Sequence, residues 1–435
     1  MKIEPLKAND RFIKVLDYDQ KISGLTGNIA QLIIKIDGLP EKEKIISTID
    51  KWINYEPALK RILKRGFFKD YWSIYNKSFK PYIKWHKDTS LDEVLKIRSL
   101  NNFNSIYNCP LLILDIIENI NESIILITWH HILADARGGE LIFSRLRNPS
   151  YSKIENFYNQ LSTNQDASII AILNDLKDFR NTILKRMTEN KILSLINNNI
   201  KKRDLILSSK HIQINKELSI KVKSWAKQID PIFGETSLLI AISLKEIQKF
   251  INDLNNGNFL VPIPINLRNP TSIQPILGNP VSFIFLSLEK SEVKYLSLLK
   301  LTKLISKKLI NDVKNNAINI TNSALKLGKL LPYQLYRYTL RSTMQGQLGS
   351  MFFANTGLSH ISEIPGKATD FLGHKIIACF HRPMVSIPPG IGFFYSTYSQ
   401  KLHISICWIE GVISKDTIQI ISDNIINNLK KSIYE

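Results

Sequence analysis

Cysteine is scarce in this sequence, with three residues in 435. Cys109, Cys379 and Cys407 are odd in number and far apart, which argues against a disulfide framework and against a cysteine-based zinc site, and fits a reducing cytosol. Long apolar runs are also missing. The best, Leu238-Leu239-Ile240-Ala241-Ile242, falls far short of the ~18 residues a membrane span requires. Met1-Lys2-Ile3-Glu4-Pro5 has a Glu and a Pro where a signal peptide needs an apolar core. The expectation is a soluble, cytoplasmic protein, with peripheral contact to an anionic membrane left open. Several catalytic signatures are lacking too: there is no Gly-x-Ser-x-Gly elbow, no Gly-x-x-x-x-Gly-Lys phosphate loop and no Cys-x-x-Cys pair. Gly390-Ile391-Gly392 lacks the third glycine and the strand-to-helix setting of a dinucleotide site.

Acidic residues are in deficit, with 38 Asp and Glu against 58 Lys and Arg, a formal charge of +20. Such a field attracts anionic partners without choosing among them: nucleic acid, membrane, an acidic carrier protein or the phosphates of coenzyme A. Lys, Asn and Ile are enriched together, so an AT-rich coding bias accounts for the charge equally well. The basic residues are spread, without aromatic interleaving at a recognisable module spacing, which disfavours a nucleic-acid binder.

A chain of 435 residues exceeds what one simple core holds, because single cores stop growing near ~250 to 300 residues. Two lobes are expected, residues 1–200 and 201–435, divided near Lys201-Lys202-Arg203-Asp204 after a polar, helix-periodic stretch from Asp166 to Asn199. In the first, strands are predicted at Leu32–Ile36, near Leu111–Ile116 and at Ile124–Trp129, with helices at about Glu41–Tyr55 and Glu140–Arg147. In the second, helices are predicted near Lys216–Gln228 and Thr236–Ile251, the latter capped by Thr236 with Ile240, Leu244, Ile247 and Ile251 on one face. Strands follow at Phe259–Ile265, Val281–Leu288, Met351–Asn355, Gly392–Tyr398 and Leu402–Trp408. A last helix has Ile418, Ile421, Ile425 and Leu429 on one stripe. Strands and helices are interspersed, which predicts mixed α/β sheets backed by helices.

The chemistry concentrates at His130-His131-Ile132-Leu133-Ala134-Asp135, directly after the buried strand and before the pair Gly138-Gly139. With 8 His in the chain, a His-His-x-x-x-Asp run arises by chance in about one such chain in a hundred. A strand end can present one His to a cleft as general base, and an Asp past the turn can lock the local backbone. Adjacent residues on a strand face opposite sides, so one His of the pair meets a given substrate. A satisfied structural His131 with Asp135 as a helix cap is the bland alternative. A metal site lacks a third ligand: His86, His211, His360, His374, His381 and His403 show no ligand spacing.

This run resembles the His-His-x-x-x-Asp-Gly signature of the condensation-domain superfamily of acyltransferases, related in fold to chloramphenicol acetyltransferase. Pro264-Ile265-Asn266-Leu267-Arg268, Gly278-Asn279-Pro280-Val281-Ser282-Phe283 and Phe353-Ala354-Asn355-Thr356-Gly357 resemble later motifs of that family, in the same order. The resemblance implies a stand-alone acyltransferase of two chloramphenicol-acetyltransferase-like lobes with a tunnel between them, working as a monomer. It implies His131 as base, Asp135 as a structural residue paired with Arg268, and supporting places for His130, Gly138, Gly139 and Asn355. No permanently bound cofactor or metal is implied. The co-substrate is an acyl-CoA or an acyl-carrier phosphopantetheine thioester, any carrier acting in trans, and the acceptor is a hydroxyl or an amine. A condensation-like protein that binds without turnover is the alternative. One departure stands out: Ala136 replaces the family's glycine after the Asp. The Asp-Phe-Gly-Trp-Gly segment of plant alcohol acyltransferases and the Pro-Leu-Trp segment of wax-ester synthases are absent.

Overall fold

The computed structural model describes residues 3–66, 69–74, 80–100, 103, 105–148, 174, 177–188, 191–195, 205–252, 256–268, 277–328, 331–343, 349–356, 358 and 370–432. A six-stranded sheet runs in the order Asp370–Phe371, His374–Pro383, Ile29–Asp37, Glu122–His130, Leu112–Glu118, Tyr82–Lys87. Its two middle strands pair antiparallel from Ile29 opposite His130 to Asp37 opposite Glu122. Both are runs of Ile and Leu, buried on the two faces by helices such as Lys42–Tyr55 and Ala136–Arg147 on one side and Leu91–Leu100 on the other. A buried Ile or Leu side chain contributes ~1.5 to 3 kcal/mol, so this strand pair anchors the first core.

A four-stranded sheet carries the second lobe, in the order Phe352–Thr356, Ile391–Tyr398, Lys401–Glu410, Ile206–Gln213. Its central hairpin turns at Ser399-Gln400, both with positive φ, 50° and 62°. Such a turn matches the right-handed twist of its strands. Beside the sheet, Asn258–Asn266 and Val281–Glu289 form an antiparallel ribbon. The helix Gly234–Gln248 lies against both and is buried all round, with Leu238 to Leu244 shielded without a break. A single apolar face was the expectation there, and Thr236 was to be its cap. Instead the cap position is Phe233, Asp230 accepts the N–H groups of Ile232 and Phe233, and Thr236 lies in the first turn. The helix Lys415–Lys431 buries its Ile418, Ile421, Ile425 and Leu429 stripe, and Ser414 caps it through the Thr417 N–H.

The two lobes are of the mixed α/β kind, but a division into residues 1–200 and 201–435 misses a crossover. His374–Pro383 leaves the second half of the chain and pairs with Ile29–Asp37, so it completes the first lobe's sheet. Lys201–Asp204 and most of the stretch from Asp166 to Asn199 lie outside the described residues; within it, Phe179–Leu184 and Lys185–Thr188 are helical. Among the described residues no helix is long and apolar enough to cross a membrane.

The crossing strand also supports a stack between the lobes. Phe380 lies flat against His211 at 3.5 Å between ring centres, and His211 Nε2 meets His403 Nδ1 at 3.0 Å. Burial pushes the proton affinity of both imidazoles down, to about 3 for His211 and about 4 for His403. The neighbouring His403 charge adds to the effect on His211, and Lys401 adds to that on His403.

Candidate active site

The strand Glu122–His130 ends where the motif begins, and the next helix, Ala136–Arg147, starts two residues earlier than the glycine pair. The turn between them is held by Trp129, whose indole N–H donates to the Ala134 carbonyl at 2.8 Å. Gly139 lies against that indole: a Cβ there would stand 2.2 Å from Trp129. Gly138 is equally confined, 2.5 Å from the Ala134 methyl. The two glycines therefore let the helix approach its own strand.

His130 turns away from the substrate side. Its Nδ1 accepts the Ile132 N–H at 3.2 Å, so the ring proton sits on Nε2, which meets Asp17 Oδ1 at 2.9 Å. Burial alone would raise the Asp17 carboxyl, yet His130, Lys21 and the Asn28 N–H together hold it well below the usual carboxylate range. His130 is thus a buried tie between the sheet and the N-terminal helix Ala8–Ile22.

Asp135 does two jobs at once. One oxygen accepts the Gly138 N–H at 2.8 Å and caps the helix. Both oxygens also receive Arg268, Nη1 to Oδ2 at 2.7 Å and Nη2 to Oδ1 at 2.8 Å, and Arg268 further donates to the Gly278 carbonyl. The capping and ion-pair readings of Asp135 are therefore both realised. The Gly278 carbonyl also accepts the Asp135 N–H at 3.1 Å, and Gly278 has a φ of 117°, which only glycine holds without strain.

His131 is half-buried and lines a cavity of about 420 Å³ between the lobes. Asp135, Ala136, Asn355, Thr236 and Thr356 line it too, while Phe12, Phe283, Phe285 and Phe353 give it a largely apolar wall. Burial pulls the His131 proton affinity below its ordinary value, opposed by the Asp135 charge. The ring is therefore neutral at physiological pH, with one nitrogen free to accept a proton. Arg268, Gly138, Gly139 and His130 do not line the cavity; they build the turn behind it. Asp17 escaped the sequence reading, which took Asn279 only as part of a later motif. Asp17 and Asn279 reach the motif from more than a hundred residues away, and no local pattern signals such contacts.

No protein-family model and no curated protein matches the sequence. Solved structures do. The trichothecene 15-O-acetyltransferase of Fusarium sporotrichioides matches 99% of this chain and 95% of its own, with a TM-score of 0.72 at 9% identity. The condensation domain of the Monacolin K polyketide synthase matches 100% of this chain and 98% of its own, with a TM-score of 0.68 at 9% identity. The nonribosomal peptide synthetase cyclization-docking bidomain from Sorangium cellulosum matches 99% and 84%, with a TM-score of 0.68 at 12% identity. The chain therefore has the condensation-domain fold, that of the chloramphenicol-acetyltransferase-like acyltransferases.

Proposed function

We propose that the chain is an acyltransferase that moves an acyl group from a thioester to a hydroxyl or amine, with His131 as the general base. The observation that carries this reading is a neutral His131 at the end of a buried strand, opening on an apolar cavity walled by both lobes. The ring takes the acceptor's O–H or N–H proton as the acceptor's lone pair attacks the thioester carbonyl. The tetrahedral oxyanion then collapses, the C–S bond breaks, and the leaving thiolate recovers the proton from the imidazolium. Asn355, on the facing strand, is suited to hydrogen-bond the oxyanion.

The donor is an acyl-CoA or an acyl-carrier phosphopantetheine thioester, either of which suits a chain of charge +20. Asp135 and Arg268 hold the turn and leave the chemistry to His131. Both walls of the cavity come from one chain, so the monomer is the working unit. Incubation with a panel of acyl thioesters and acceptors, read by mass of the transferred acyl group, tests the reading. Transfer that is lost in a His131→Ala protein supports it, and an equal rate in the two proteins removes it.

A further inference from the structure

A general base must keep its proton on the nitrogen that faces away from substrate, and in an imidazole that choice is set by what the inner nitrogen meets. The inner nitrogen of His131, Nδ1, is buried and has no hydrogen-bond partner among the described residues. A second buried polar atom in the same state is Oδ1 of Asn279, a residue only 6% exposed. Two such orphans in one site need an explanation, because an unsatisfied buried polar group costs ~1 to 3 kcal/mol.

The orientation of the Asn279 amide answers which of its ends faces the ring. Its Nδ2 donates to Asp10 Oδ1 at 3.0 Å and to the Ile132 carbonyl at 3.2 Å. Both are acceptors, and Asp10 is itself held by the Trp72 indole N–H at 3.3 Å. A flipped amide would set its oxygen against these two oxygens, so the flip is excluded by chemistry. The backbone is pinned as well: Asn9 donates to the carbonyls of Asn279 and Val281, both at 2.8 Å. The amide oxygen is left as an acceptor, and Asn279 acts on the His131 ring as an acceptor does, favouring its protonated nitrogen. The carbonyl of His131 itself pulls in the same sense.

We propose that Asn279 is a positioning residue for His131: its amide oxygen, locked by Asp10 and the Ile132 carbonyl, holds the imidazole proton on Nδ1 and leaves Nε2 bare toward the cavity. The kinetic consequence rests on His131 being the base; the tautomer is a property of the folded chain whatever it catalyses. The test is a nitrogen-15 spectrum of the histidine rings near neutral pH, with His131 assigned by comparison with His131→Gln. The wild-type ring should show a protonated Nδ1 and a bare Nε2. In Asn279→Ala the two shifts should move toward each other as both tautomers are populated. The kcat should fall by about 10- to 100-fold with KM changed less than about twofold, because the base survives but is often in the wrong form. Losing an acceptor also lowers the ring's proton affinity further, so the acid limb of the pH profile should move to lower pH. Asn279→Ser leaves a smaller void and serves the same comparison if the alanine variant does not fold. A proton on Nε2 in the wild type, or an unchanged Nδ1–H tautomer in the folded variants, overturns the proposal. A wild type that turns over no acyl thioester would sink the acyl-transfer reading and leave the spectrum to decide this one.

Discussion

The Asp135 carboxylate and the Arg268 guanidinium, 133 residues apart in sequence, meet in two parallel hydrogen bonds at the edge of the cavity. Arg268 is 4% exposed at its side chain, so the pair is shielded from water and salt. Breaking one partner of a buried pair costs ~3 to 5 kcal/mol. Asp135 also caps a helix, which adds about 1 kcal/mol that Arg268 does not carry. Asp135→Ala should therefore be the more destabilised of the two single variants in urea unfolding. The double variant should lose less than the sum of the single losses. Equal single losses that add fully would mean the pair is not coupled.

His131→Ala should lose about 10² to 10⁴ in kcat/KM while melting close to wild type, because the residue is only half-buried. His130→Ala should behave in the opposite way. It strands Asp17 without the partner that meets it at 2.9 Å, so thermal stability should drop sharply. A His131→Ala protein that keeps more than about a tenth of the wild-type rate refutes its assignment as base.

The pH dependence of the rate follows from the sign of the His131 shift. Burial lowers its affinity for protons, so the active neutral form persists below pH ~6.5, the ordinary histidine value. The rate should be flat above that pH and decline only on the acid side. A limb centred above ~7 would show that the titrating group is not this ring.

Gly139→Ala should destabilise the fold by about 1 to 3 kcal/mol, as overpacking does, since its Cβ would sit within the Trp129 ring. Tryptophan emission should shift in step, because the displaced indole gives up its bond to Ala134. A variant of normal stability and emission would show that the helix can slide away from its strand.

Stability should decline as pH falls from about 6.5 toward about 3. In that window the unfolded chain binds protons at His211 and His403, whereas the folded chain, with values of about 3 and about 4, does not. Melting temperatures measured across the range should fall, and replacing both histidines with Phe should flatten the slope. An unchanged slope would place the titrating groups elsewhere.

The elements that carry the site were legible because each has a local signature. Ile124–Trp129 is a β-branched run, and the helix after it opens on Asp135 and two glycines. The two strands on either side of Ser399-Gln400 and the Ile418 to Leu429 stripe were equally plain. What stayed hidden was long-range pairing. Nothing in His374–Pro383 says that its partner is Ile29–Asp37, because backbone hydrogen bonds carry no sequence label. Thr236 misled for a related reason: a helix buried on every side shows no amphipathic edge from which to place its start. Asn279 was visible as part of a motif, but its role depends on Asp10, brought to it by the fold.

The strand His374–Pro383 also orders events in time. Pro383 lies opposite Ala30, so the first sheet cannot close until residue 383 has left the ribosome. Until then Ile29–Asp37 offers an open, apolar hydrogen-bonding edge to any passing strand. A fragment ending near residue 200 keeps that edge open and should accumulate as aggregate.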